Sequence, residues 1–593
     1  MEFPYMNEVS RYREMTSTFG GYNRRLSCAE GEFFDMENMT TQYYPTLSPR
    51  PKRGIVKALA NPQGILDKEQ MMWVDDGVLY ADGEAVTLDG VELSKDTMKT
   101  MAKMGAYVII MPDKVWYNAD TGECGYMEAS YEAENEVTLT LCEESGKAIT
   151  WHDAQYYESN APQNGDYMMS TSGGKASLKV YSSTTKVWTS VATTYIQISA
   201  SGIGKAFEKE DGIKITIDKP SDWEYASNIF VNEEEDGRLS INTCVTDKTD
   251  DAITIIGLLD NNKTLTNLNL TVERKVPEMA FITECNNRLW GCSEDGHEIY
   301  CCKLGDVKNW NCFQGISTDS WAVTIGSDGV FTGAITYLGY PIFFKEDCLI
   351  KIAVSATGAH QTKETRCRGV QRGSEYSLAI LNETLFYKST EGVCAYAGSL
   401  PTSISDALGE VRYYDAVAST IGNRYYISMR DKNETYHLFV YEQKTGLWCR
   451  EDNTEVFRFC RHEDDLYFID KADNTMKSVR GTLPYDVEEK GEEEKIRWMA
   501  ESGTIGYSTP DNKYVARISI RITLEFGANV DLYMQHDSED GWEHKFNMSG
   551  KGTRTFSVTV IPRRCDHFKY KLVGKGGCKV HSITKTMEQG SDI

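Results

Sequence analysis

The sequence lacks the marks of most enzymes and of membrane proteins. No stretch approaches the ~18 consecutive apolar residues that a membrane-spanning helix needs. The opening segment MEFPYMNEVSRYREM has no basic region followed by an apolar core, so no secretion signal is expected. None of the 16 cysteines forms a CxxC pair, and the nine histidines do not fall at ligand spacing from cysteine pairs, so neither a zinc site nor any other metal is expected. The cysteines read instead as small buried apolar residues in a reducing compartment. There is no GxSxG elbow, no Walker loop, no HExxH and no dinucleotide fingerprint, so neither an enzyme nor a cofactor is expected. Basic residues are outnumbered, 63 against 88 acidic, for a net charge of −25. That balance argues against tight nucleic-acid binding, which needs Lys and Arg to displace counterions from phosphates. It suits a soluble protein, or a surface past which DNA slides without sticking.

Aromatics and turn residues are plentiful: 34 Tyr, 20 Phe, 11 Trp and 48 Gly, with only 14 Pro. Aromatic side chains suit pleated, half-buried strands. Short apolar strands recur around turns, as in MMWVDDGVLYADG, LGYPIFFKEDCLIKIAV, LNETLFYKSTEGVCAYAG and IGNRYYISMRDKNETYHLFVYEQKTGLWC. Each reads as a hairpin, and their spacing of roughly 30–50 residues is that of propeller blades. The expected fold is mainly β, a β-propeller core with an extended N-terminal arm, an inserted small β domain and a C-terminal β-sandwich. The boundaries are residues 1–60 for the arm, 61–125 for the first propeller strands, 126–275 for the Thr/Ser/Lys/Glu-rich insertion, 276–480 for the rest of the propeller and 481–593 for the sandwich. In ARISIRITLEF, Ile518, Ile520, Ile522, Leu524 and Phe526 alternate with polar residues, which places them on one face of a strand. The acidic run 488–495 reads as a solvated linker.

Candidate chemistry is sparse. Paired carboxylates for glycoside hydrolysis are open in so acidic a chain. However, Asp113, Asp306 and Asp347 sit at turns, where Asp usually bonds its own backbone. The Ser538–Trp542 segment reads as a hairpin turn with a packed Trp, and flanking His536 and His544 lack a completing ligand set. PRRCDHFKYK, at 562–571, reads as a strand whose basic residues face water or acids rather than phosphates.

Several segments together resemble the β-propeller tail-hub proteins of bacteriophages, the tail nozzle or packaged-DNA stabilisation proteins. They are FGGYNRRLSCAEGEFFDMENMTTQYYPTLSPRPKRG, RLWGCSEDGHEIYCCKLGDVKNWNCF, LNETLFYKSTEGVCAYAGSLPTSIS, LFVYEQKTGLWCRED and the ending PRRCDHFKYKLVGKGGCKVHSI…EQGSDI. The resemblance spans most of the chain but not 126–275. It implies a structural virion protein of the tail or neck, made in the host bacterial cytoplasm. It further implies a homo-oligomer, a hexameric ring below the portal and adaptor that retains packaged genome and conducts double-stranded DNA as a non-specific passenger during ejection. The arm supplies the candidate subunit-interface residues Phe19, Tyr22, Phe33, Phe34, Asn38, Tyr43 and Tyr44. The alternative is a tail-associated propeller that binds a receptor or hydrolyses glycans.

Overall fold

The computed structural model describes residues 11–589 except 134–135, 173–174, 219–228, 262, 267–268, 355–358, 486–490, 507–511 and 540. Part of the 488–495 acidic run therefore lies outside the described residues. The chain is mainly β; its described helices are two short α-helices, Ala154–Ser159 and Ile203–Ala206, and the 3-10 turns Glu375–Ser377 and Asp406–Leu408.

Seven antiparallel meanders follow one another, at residues 62–85, 100–126, 281–324, 333–366, 379–403, 413–450 and 456–478. The turns that lead from the first to the second strand are tight. Leu338–Gly339 and Asn382–Glu383 both have positive φ at both residues, the conformation whose twist matches a two-residue hairpin. The second strand of each meander is almost wholly buried, as in Met71–Asp75, Val108–Met111, Pro341–Phe344 and Leu466–Asp470. Such strands carry continuous apolar runs because sheets or loops cover both of their faces. The inner strand of each meander lies beside that of the next, the fourth reaching the fifth through the turn Glu375–Ser377. The seventh inner strand, Val456–His462, lies against the first, Pro62–Lys68, so the circuit returns on itself.

The seventh meander has only three strands of its own. Its outer strand Thr475–Ser478 pairs with Gly54–Ala58 from the start of the chain, in a register running from Thr475↔Ala58 to Ser478↔Gly54. A strand far away in sequence thus supplies the fourth strand of the last sheet, and Gly491–Glu492 pairs on its outer side as the fifth.

Residues 129–274 leave after the second meander and return before the third. They form one nine-stranded sheet and a separate four-stranded sheet, Trp151–Asp153 with Tyr167–Ser172, Lys175–Ser182 and Val187–Ser190. Their own core includes Val137, Ile196, Phe207, Ile215 and Ile255. The insertion is anchored to the third meander by Asn309, which donates to Asp211 Oδ1 and accepts from the Gly212 amide.

After residue 491 come two further sheets that share one core with the fifth, sixth and seventh meanders. Ile518, Ile520, Ile522 and Leu524 line that core, as the alternation requires. Phe526 does not join them. Its strand ends at Leu524, and Phe526 lies in the following turn at 83% exposure.

Candidate functional site

The N-terminal arm is built into both terminal sheets. Arg11–Thr16 pairs antiparallel with Cys578–Gln589, and Glu32–Glu37 pairs with Arg497–Ser502. Between them the backbone turns at Gly21, where φ is +79° and an added Cβ would sit 2.4 Å from the Trp448 carbonyl oxygen. A side chain at Gly21 would therefore collide with the sixth meander, which is the physical reason for the Gly-Gly step seen in the sequence.

The candidate interface residues divide. Phe19, Tyr22 and Phe33 are buried in their own chain; Phe19 and Phe33 are neighbours at 6.0 Å, and Tyr22 meets Phe439 edge-on at 5.5 Å. Asn38 is half-buried and spoken for: its side chain donates to the Arg497 carbonyl and accepts from Arg50 Nε. Phe34 is half-buried beneath Arg24 and Lys569. Tyr43 and Tyr44 remain exposed, at 38% and 45%. The arm is thus covered by its own chain along most of its aromatic length, and Tyr43 and Tyr44 are the side chains left facing outward.

Where the arm exits toward the seventh meander, a buried ion network holds it. Arg50 Nη1 lies 2.7 Å from Glu493 Oε2; Arg53 reaches Glu451 Oε2 at 2.6 Å and Asp452 Oδ2 at 2.7 Å. Burial works against charge on Asp452, but Arg53 and then Arg50 overcome it and hold the carboxyl down at about 2. Burial likewise opposes the Glu493 carboxylate, and Arg50 outweighs it, so that carboxyl also stays below its ordinary value. Burial disfavours the Arg53 cation too, yet Asp452, Glu451 and Glu493 raise it well above its usual range. Next to the network opens a groove of about 430 Å³, lined by Tyr43, Lys52, Lys495, Phe526 and Lys579 among others.

The middle of the circuit of inner strands is occupied by side chains. Arg458 lies 3.2 Å over the Tyr376 ring, and Tyr376 Oη is 3.1 Å from Thr100 Oγ1. At the other end of the inner strands, Asp67 bonds His462 Nδ1 at 2.8 Å and lies 3.6 Å from Lys103. A second groove, of about 490 Å³, opens between the third and fourth meanders. It is lined by Trp290, Leu338, Tyr340, Val354 and His360, with Arg288 at its base donating to the carbonyls of Cys302, Ser317 and Asp319. His360 packs edge-on against Trp290 and Trp321, and its buried Nδ1 has no hydrogen-bond partner among the described residues. Sequence reasoning missed this groove, since its walls come from separate hairpins.

The other singled-out residues have structural places. Asp306 accepts from the Lys308 amide, Asp113 pairs with buried Lys99 at 2.6 Å, and Asp347 pairs with Arg366 on the surface. His536 is buried, while His544 bonds Asp531 at 2.9 Å. Trp542 lies under Lys571, 4.0 Å from its ring centre; position 540 in that turn lies outside the described residues. In the basic segment, Arg563 pairs with Glu539 and Glu543, and Lys569 and Lys571 face Glu501. Among the described residues no group of three or more His, Cys, Asp or Glu is placed to hold a metal ion. No described helix is long and apolar enough to cross a membrane.

No family model matches the chain, and no curated protein matches it. Solved structures to which it is similar include an exo-β-1,3-galactanase from Phanerochaete chrysosporium with galactose, at 8% identity, over 50% of this chain and 92% of that one, with a TM-score of 0.20. Apo AztD from Citrobacter koseri is similar at 10% identity over 68% and 95%, with a TM-score of 0.21. An engineered GH43 glycoside hydrolase with endo-xylanase and exo-arabinofuranosidase activity is similar at 8% identity over 52% and 97%, with a TM-score of 0.19. Against the expectation that the chain is not an enzyme stand two neighbours whose names are those of sugar-cleaving enzymes, at identities and TM-scores that assign this chain no activity. That expectation rested on missing sequence motifs.

Proposed function

We propose that this chain is a structural subunit of a bacteriophage tail or neck, one that assembles into a ring, sixfold in the simplest case, below the portal and adaptor. Its core is read as a closed seven-bladed β-propeller carrying the inserted β domain, with a terminal β-sandwich locked onto it. The ring retains packaged genome and conducts DNA at ejection. The observation that carries the reading is the junction at Arg50 and Arg53, where buried ion pairs tie the arm to the connection between the sixth and seventh meanders and to Glu493, on the way into the terminal sheets, while Tyr43, Tyr44 and Phe526 stay exposed beside it. A rigid block with an aromatic patch at its seam suits heterologous contacts that close into a ring. The order of the tail-hub-like motifs along the chain supports the same reading.

The test is mass photometry and cryo-electron microscopy of the purified chain, alone and with portal and adaptor complexes. Rings with a central channel are expected, free or templated. A chain that stays monomeric and does not dock on the portal overturns the reading.

The groove at Trp290, Tyr340 and His360 favours a second reading, a tail-associated protein that binds or hydrolyses host glycans. Aromatic walls with a few polar groups suit a sugar ring. Glycan-array binding and hydrolysis assays, compared with Tyr340→Ala, test it; no binding and no turnover on host-wall glycans sinks it.

A further inference from the structure

The outward face of one terminal sheet has a composition unlike the rest of this acidic chain. Its strands run in the order Arg11–Thr16, Cys578–Gln589, Lys513–Leu524, Gly552–Thr559. Ile518, Ile520 and Ile522 turn into the core, so their neighbours Arg517 and Arg521 face outward and are exposed. The pairing register extends that face across the sheet. Arg13, Thr586, Arg517 and Thr559 form one row. Met15, Thr584, Ser519 and Ser557 form the next, in which Thr584 and Ser519 are buried beneath the arginines' level and Ser557 is exposed, and Ser582, Arg521 and Thr555 form a third. Among the described residues, Arg13, Arg517 and Arg521 have no carboxylate partner. The one acid in these strands at the edge of the face, Glu588, is taken up by Arg11 and the Tyr514 hydroxyl.

We propose that this face is a docking surface for the sugar–phosphate backbone of double-stranded DNA. The charge is the first argument. On a chain of net −25, three free guanidinium groups on a bed of hydroxyls make a local cationic field, and only partners within about a Debye length, ~10 Å, feel it unscreened. Arg13 and Arg517 stand two strands apart, about 10 Å, and Arg517 and Arg521 four residues apart, about 13 Å. That spread spans several phosphates, since duplex DNA carries a charge every ~1.7 Å of axis. The second argument is chemistry. Arg with Ser and Thr hydroxyls is the donor set of backbone contacts, which position a duplex without reading it. A protein partner is less well served, because protein interfaces are rich in aromatic anchors and poor in Ser, and this face offers Met15 as its exposed apolar side chain. The proposal does not depend on ring formation.

The test is fluorescence anisotropy of the full chain with two 30-base-pair duplexes of unrelated sequence, over 50–200 mM salt. Three phosphate-neutralising arginines predict a salt exponent near −2.7, about a 40-fold loss of affinity across that range, equal for both duplexes. Arg517→Ala with Arg521→Ala is expected to lower the exponent by about 1.8. The double Lys variant at the same positions is expected to keep it, and Lys432→Ala with Lys444→Ala, exposed on the sixth meander, to leave it unchanged. No duplex binding at 50 mM salt, binding that survives Arg517→Glu with Arg521→Glu, or a charge reversal that abolishes self-association instead, overturns the proposal; the last outcome assigns the face to an acidic protein surface. Ring formation is scored separately by mass photometry, so the two readings fail independently.

Discussion

Arg53 Nη2 lies 2.6 Å from Glu451 Oε2, with both side chains no more than 5% exposed, although the two residues are 398 positions apart. This contact fixes the arm to the connection between the sixth and seventh meanders. Removing one side of a buried pair leaves the other charge without compensation. Arg53→Leu is therefore expected to destabilise the protein by about 3–5 kcal/mol. The denaturant midpoint, read by intrinsic tryptophan fluorescence, checks it, and a shift below ~1 kcal/mol would show the network to be ornamental.

The same network sets an acid limit. Asp452 is held at about 2 by Arg53 and Arg50 against its burial. A carboxyl lowered on folding contributes stability that is fully present above its unfolded pKa, ~4, and is lost as pH falls toward 2. That contribution is about 2 kcal/mol. Thermal melts between pH 5 and 2 are expected to drop steeply in the native chain and less steeply in Asp452→Asn, which starts from a lower melting temperature.

Gly21→Ala places a methyl group 2.4 Å from the Trp448 carbonyl in a left-handed conformation. It is expected to cost about 2 kcal/mol or more. Gly20→Ala meets the movable Glu32 Cγ and is expected to cost much less. Equal melting temperatures for the two variants would refute this account of the Gly-Gly step.

Tyr44→Asp and Phe526→Asp alter side chains that are already in solvent. Both are expected to leave the melting temperature within about 2 °C of the parent while abolishing rings in mass photometry. Phe33→Asp, at a fully buried position, is expected to unfold the chain instead.

Much of the strand layout was legible because its signals are local. Asp76–Gly77 and Asn382–Glu383 mark tight turns, and apolar runs such as PIFF at 341–344 mark buried second strands. The arm was harder to read. Phe19, Tyr22 and Phe33 look like an exposed aromatic strap until the sixth meander and the strands from 497 to 589 are placed over them, and nothing near them in sequence announces that cover. Gly54–Ala58 reads as an unremarkable short strand, since its partner at 475–478 lies some four hundred residues on. The Trp290–His360 groove and the arginine face are likewise products of register and packing rather than of motif.

The pairing of Gly54–Ala58 with Thr475–Ser478 has a consequence for biosynthesis. The early strand leaves the ribosome long before its partner exists, and at ordinary elongation rates of ~5–20 residues per second it waits on the order of half a minute. During that interval the first six sheets have no lid for the circuit, and an open edge persists for any chaperone or sister chain to find. A nascent chain interrupted before residue 475 never gains the partner of Gly54–Ala58, and that strand keeps an unpaired edge.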